Sequence, residues 1–232
     1  MSTLRNRKPH QQKKETISTD LPNQILWFHQ LNHKDAYRVG GKGANLGECT
    51  SANLPVPNGF VITGSAFDQQ LAKYQMQVGT ADPASARNVL LNEPLDDRLV
   101  KAIGAAYLTL GGLDGSSNKT SRGISNSHQH QNPLVAVRSS ATAEDGAAAS
   151  FAGQMETLLG VSTVSDVMSA VRLCWASVFA DRVAAYRTLA GGAGSCCVVV
   201  QLMVEADAAG VMFTANPLSG ARDEFVVTAN WG

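Results

Sequence analysis

One stretch divides this chain before any fold is considered. Residues 111–132 hold four Gly, five Ser and three Asn in 22 positions, with Leu113 and Ile124 the sizeable apolar side chains. No packed core can be built from that composition, so the stretch reads as an exposed low-complexity loop. It separates two patterned regions, 24–110 and 133–232. Residues 1–23 read as a disordered basic tail, since residues 1–14 carry five Lys/Arg and no acid and lack the apolar core of a secretory signal. At the other end, Asn230-Trp231-Gly232 follows directly on a strand-like run. That predicts a chain truncated in mid-pattern.

Both patterned regions mix helix and strand signals. Order begins near Leu21 and Ile25. Val39 to Glu48 (VGGKGANLGE) reads as a Gly-rich turn leading into a helix, and Leu54-Pro-Val-Pro-Asn-Gly59 as a rigid proline-set turn before a short buried strand, Phe60–Thr63. Ser65 is a plausible N-cap for a helix through about Gln77, with Phe67, Leu71 and Tyr74 on one face. Residues 95–110 read as a further helix with Leu95, Leu99, Ile103 and Ala106 in register. Leu134–Arg138 reads as a strand ending in a charge. Residues 165–189 give the clearest helix, its stripe being Val167, Met168, Val171, Cys174, Trp175, Val178 and Phe179. Three strand-like runs close the chain, at 197–204, 210–214 and 224–228. Without strict βαβ alternation the class is α+β.

Composition excludes several functions. Lys+Arg and Asp+Glu number 19 each, a formal net charge of zero, and a general nucleic-acid binder would show a basic stripe instead. No apolar run reaches the ~18–20 residues of a membrane span. Cys49, Cys174, Cys196 and Cys197 contain no C-x-x-C, which rules out the usual zinc spacing and a disulfide framework. Reduced structural thiols in a cytoplasmic protein are the expectation. His128 and His130 form an H-x-H pair, but inside a Gly/Ser loop the pair reads as incidental, so no metal ligands are assigned.

Two segments carry phosphate-type chemistry. Around Gly40-Gly-Lys42-Gly, flanking glycines let backbone approach a bulky anion and an ammonium neutralises its charge. The spacing fits neither a Walker A loop nor a dinucleotide fingerprint. An ordinary Gly-rich helix entry with an exposed lysine is the competing reading. In Val137-Arg138-Ser-Ser-Ala-Thr-Ala-Glu-Asp145 a strand delivers Arg138 to its end, where a guanidinium suits forked contact with phosphate oxygens and the hydroxyls add donors. Glu144 and Asp145 offer an ion pair with Arg138 instead. Small residues around Phe151, through Gly153, suit a flap over a ligand or a loose surface loop. Gln201, inside an apolar strand, must find partners, either backbone or a nucleotide.

Seven segments then occur in order: VGGKGANLGE, LPVPNGFVIT, VRSSATAED, SFAGQMET, CWASVFADRVAAYR, GVMFTANPLSG and TANWG. The series resembles the N-terminal nucleotide-binding region of phosphoenolpyruvate synthases, pyruvate phosphate dikinases and rifampin phosphotransferases. FTANP and ANWG look closest to the rifampin phosphotransferase and phosphoenolpyruvate synthase branches. The resemblance covers about residues 24–232, apart from the 111–132 loop.

The resemblance implies an ATP-grasp fold, two α+β lobes around a nucleotide cleft, with the second lobe incomplete here. It implies an ATP-dependent phosphotransferase that cleaves ATP to AMP and phosphate. The β-phosphoryl group passes to a histidine on a swivelling domain and then to an acceptor such as pyruvate or an antibiotic hydroxyl. Lys42 and Arg138 would hold the phosphates and offset charge developing in transfer. Gly153 and Thr157 would belong to the loop over the triphosphate, and Gln201 would sit on the nucleotide side. Mg2+ would accompany ATP, with its acidic ligands expected beyond residue 232, as are the phosphohistidine and acceptor domains. Gly146-Ala147 replaces the Leu-Pro that usually follows AED in the family, loosening the flap. With the lobe opposite Lys42 unfinished, the 232-residue chain alone is expected to be poorly active or inactive. The alternative is a non-catalytic nucleotide-binding module or a decayed fragment.

Overall fold

A strand that is apolar at nearly every position needs cover on both faces, and Cys196–Leu202 is such a strand. In the computed structural model, which describes residues 24–112, 132–141, 156–180 and 194–231, it is the central strand of a five-stranded sheet. In chain order the strands are β1 (Ile25–Trp27), β2 (Gly59–Ile62), β3 (Val135–Ala141), β4 (Thr157–Val161) and β5 (Cys196–Leu202). Their order across the sheet is β1-β2-β5-β3-β4, every neighbouring pair antiparallel.

Alternation along β5 divides its side chains between two cores. Cys196, Val198 and Val200 join Phe60, Ile62, Val135 and Val137 under four helices: α2 (Gly64–Lys73), α3 (Pro83–Asn92), α4 (Asp97–Leu110) and α5 (Val164–Ser177). Phe67 of α2 meets Trp175 of α5 there, ring centroids 5.7 Å apart. Cys197 and Val199 face the other way, packing with Val61, Phe28 and Leu31 beneath Val39 and Ala44 of α1 (Ala36–Ser51). This two-faced arrangement, antiparallel throughout, is the α+β architecture that the mixed patterning predicts.

Caps explain where the helices start. Asp82 Oδ2 accepts from Ser85 N–H (2.9 Å) with Pro83 in the first turn of α3, and Asp96 Oδ1 accepts from Arg98 N–H (2.9 Å) at α4. Thr163 Oγ1 accepts from Asp166 N–H (3.2 Å) at α5. Tyr107 ties these helices to the sheet entry: its hydroxyl donates to the Pro133 carbonyl (2.8 Å) and accepts from Thr163 N–H (2.9 Å).

Several expectations change. Ser65 does not cap α2; Thr63 holds the N-cap position, Ser65 lies inside the helix and accepts from Gln69 Nε2 (3.0 Å), and the helix stops at Lys73 rather than Gln77. Helix α5 ends at Ser177, and the part of the expected helix at 181–189 lies outside the described residues. Helix α3 and strand β4 have no counterpart in the sequence pattern, and β3 runs on to Ala141, so Arg138 stands in mid-strand rather than at the strand end expected of it. The Gly-rich segment at 39–48 is helix rather than a turn leading into one; Gly40 alone leaves helical geometry. Its glycines lie against the sheet side, where a side chain on Gly47 would meet Leu31 backbone at 2.7 Å.

Two further strands, β6 (Ala208–Phe213) and β7 (Val226–Trp231), pair antiparallel as a separate two-stranded sheet. Asn216 builds the turn after β6, its Oδ1 accepting from Leu218 N–H (2.9 Å) and Ser219 N–H (3.2 Å). Phe225 and Val227 are exposed. Among the described residues no helix is long and apolar enough to cross a membrane.

Candidate functional site

The face of the sheet beneath α1 gathers most of the residues singled out by sequence. Strand alternation puts Arg138 and Ser140 of β3 on that face, because their partners on β5 are Val199 and Cys197, both members of the α1-side core. Thr157 of β4 stands directly opposite Arg138 and is exposed. Gln201 of β5, paired with Ala136 and Gly59, falls on the same side. Lys42 is half-buried on α1.

Contact between α1 and β3 is made at Gly40. Its φ of 72° and ψ of 166° break the helix, a conformation open in practice to glycine alone. A side chain there would collide with the Ser140 hydroxyl and lie 2.7 Å from the Ser140 carbonyl oxygen. Ser140 Oγ donates to the Val39 carbonyl across 101 residues of chain (3.1 Å). Lys42 lies two residues beyond this junction on the helix, and Arg138 two residues before it on the strand. The helix restarts at Gly41, and a helix carries partial positive charge at its first turn. Here that turn bears Lys42.

Ser139 points to the opposite face, where its hydroxyl and its N–H both donate to the Glu156 carbonyl (3.0 and 3.1 Å). Both serines are buried. Their hydroxyl protons are spent on backbone carbonyls, so neither is a phosphate donor, contrary to the expectation for the RSSATAED segment. Ser139 anchors the residue preceding Thr157, and Ser140 anchors α1. No signal in the sequence separates such serines from ligand-binding ones.

Gln201 is 9% exposed and its Nε2 donates to the Pro57 carbonyl (3.2 Å). Of the two partner types open to it, backbone takes one amide proton, and the proline-set turn is thereby held to the sheet. Gly153 lies outside the described residues, as do Glu144, Asp145 and the His128–His130 pair. Among the described residues Arg138 has no carboxylate partner. One further contact steadies α1: Glu48 Oε1 accepts from His33 N–H (2.7 Å) and lies 2.7 Å from His33 Nδ1. Those bonds hold the Glu48 carboxyl below its ordinary value, the backbone bond contributing most.

The sheet lies between one glycine-rich helix and a four-helix layer, with Arg138 on the glycine-rich side, and the family match makes this an ATP-grasp-like nucleotide-binding domain. The chain matches the family described as pyruvate phosphate dikinase, AMP/ATP-binding domain, over residues 36–232, and it belongs to that family. It is 36% identical to the phosphoenolpyruvate synthase of Pyrococcus furiosus over 245 residues, covering 90% of this chain and 30% of that protein. It is 38% identical to the prodigiosin synthesizing transferase PigC of Serratia marcescens over 200 residues, covering 85% of this chain and 20% of that one. Against the phosphoenolpyruvate synthase of Aeropyrum pernix the identity is 35%, with 90% of this chain and 26% of the relative covered. The chain thus spans less than a third of the length of these relatives.

Proposed function

We propose that this chain is the ATP-binding part of a phosphotransferase that cleaves ATP to AMP and phosphate. In this reading the β-phosphoryl group goes to a histidine on another domain and from there to an acceptor such as pyruvate or an antibiotic hydroxyl. One observation carries it: the Gly40–Ser140 junction ties the Lys42 segment to the Arg138 strand on one face of the sheet. Two fixed cations suit a polyphosphate, and their charge matters most as negative charge redistributes during transfer. Arg138 offers a forked donor, Lys42 a point charge and Thr157 a hydroxyl. On the family resemblance Gly153 and Gln201 complete the nucleotide contacts.

Among the described residues no group of three His, Cys, Asp or Glu is arranged to hold a metal ion. On the family resemblance Mg2+ accompanies ATP, and its acidic ligands are proposed to lie beyond residue 232, as are the phosphohistidine and acceptor domains. The relatives' greater length supports this division of labour. The free cysteines support a reducing, cytoplasmic setting.

Calorimetric titration of the protein extended past residue 232, with ATP and with adenosine, tests the reading. ATP should bind, and Arg138→Ala and Lys42→Ala should each weaken it by about tenfold or more while adenosine affinity changes little. Absence of ATP binding, or two neutral substitutions, would refute it.

A further inference from the structure

The helix break at Gly40 is held from the sheet by two side chains, not one. Ser140 Oγ donates to the Val39 carbonyl (3.1 Å), and Cys197 Sγ donates to the Arg38 carbonyl (3.2 Å). These are consecutive carbonyls, the two that precede the break. Their donors are themselves register partners, Ser140 on β3 opposite Cys197 on β5. Both donors are fully buried.

We propose that Ser140 and Cys197 are positioning residues that clamp the carbonyls of Arg38 and Val39 and so fix where Lys42 stands relative to Arg138. The proposal rests on the ATP-binding reading above and adds to it the device that sets the distance between the two cations. Ser140 lies on the same strand and face as Arg138, two residues away, so a shift of the helix against Ser140 is a shift of Lys42 against Arg138. Glycine at position 40 leaves no side chain between helix and strand, which lets the hydroxyl reach the carbonyl directly. The clamp has to hold a backbone turn that glycine leaves loose. Burial pushes the Cys197 thiol up to about 12, so it keeps the proton it donates.

The test uses the protein extended past residue 232, with Ser140→Ala, Cys197→Ala and the donor-retaining Cys197→Ser. Amide exchange is read at residues 40–43, and titrations are run with ATP and with adenosine. Each alanine variant should speed exchange at 40–43 by about fivefold to tenfold and weaken ATP by a similar factor, with adenosine affinity unchanged. Cys197→Ser should keep both close to wild type. Unchanged exchange at 40–43 in both alanine variants would overturn the clamp, as would equal losses for ATP and adenosine, which a merely structural role predicts. If the wild-type chain binds no ATP the functional reading fails separately, and the exchange rates still decide whether the clamp exists.

Discussion

Replacing Gly40 by alanine should be far more damaging than the addition of one methyl group suggests. At φ 72° and ψ 166° an alanine pays roughly 1–3 kcal/mol in backbone strain. Its methyl would also sit 2.7 Å from the Ser140 carbonyl oxygen and 2.8 Å from the carbonyl carbon. Those atoms belong to a central strand and cannot rotate away, so overpacking adds roughly 1–3 kcal/mol. Taking about 3 kcal/mol for the sum, and 2–4 °C per kcal/mol for a domain of this size, Tm should fall by roughly 6–12 °C. Urea unfolding of Gly40→Ala beside Gly79→Ala measures this. Gly79 has no atom within 4 Å of where its Cβ would stand, so that control should stay within about 0.5 kcal/mol of wild type. If Gly40→Ala unfolded within about 1 kcal/mol of wild type, the close helix–strand junction described above would be wrong.

Other consequences are simpler to state. Tyr107→Phe removes the donor to Pro133 and the acceptor for Thr163 N–H, and chemical unfolding should show a loss of about 1–3 kcal/mol. The Glu48 carboxyl is held below its ordinary 4.5, so its contribution is present above that pH and lost as pH falls through the lowered value. The Tm gap between wild type and Glu48→Gln should therefore be widest above pH 4.5 and close on acidification; a gap that widened in acid would contradict the His33 contact. Burial pushes the Cys174 and Cys197 thiols up to about 12, so iodoacetamide at pH 8 should leave both unlabelled until denaturant is added. Labelling of either in the native protein would count against the packing.

Much of this architecture is written in local pattern. The run CCVVVQL demands cover on both faces and receives it; Phe67 and Leu71, and Leu99, Ile103 and Ala106, recur at helical spacing and are buried. The α1 segment is less legible. Glycine is the poorest helix former after proline, and the density of glycine around Lys42 reads locally as a turn. Packing decides otherwise, since small residues let the helix lie close on Val61 and Leu31. Helix α3 buries only Ala86 and Leu90, too narrow a stripe to register as a period, although Asp82-Pro83 is a start signal. Strand β4 is mostly exposed and lacks alternation strong enough to stand out. At the site, Lys42 and Arg138 are visible by their chemistry. The tasks of Ser140 and Cys197 depend on contacts across more than a hundred residues, and that of Ser139 on the pairing of β3 with β4, which no local pattern encodes.

A double-mutant cycle in ATP affinity, with Lys42→Ala, Arg138→Ala and the pair, asks most directly whether these two cations act on one ligand. Side chains gripping the same phosphate chain should couple by about 0.5–3 kcal/mol, the double variant losing less than the two single losses added together. Two independent, additive effects, or none, would mean that the cations serve different ends and that the junction at Gly40 is only a way of packing a helix on a sheet.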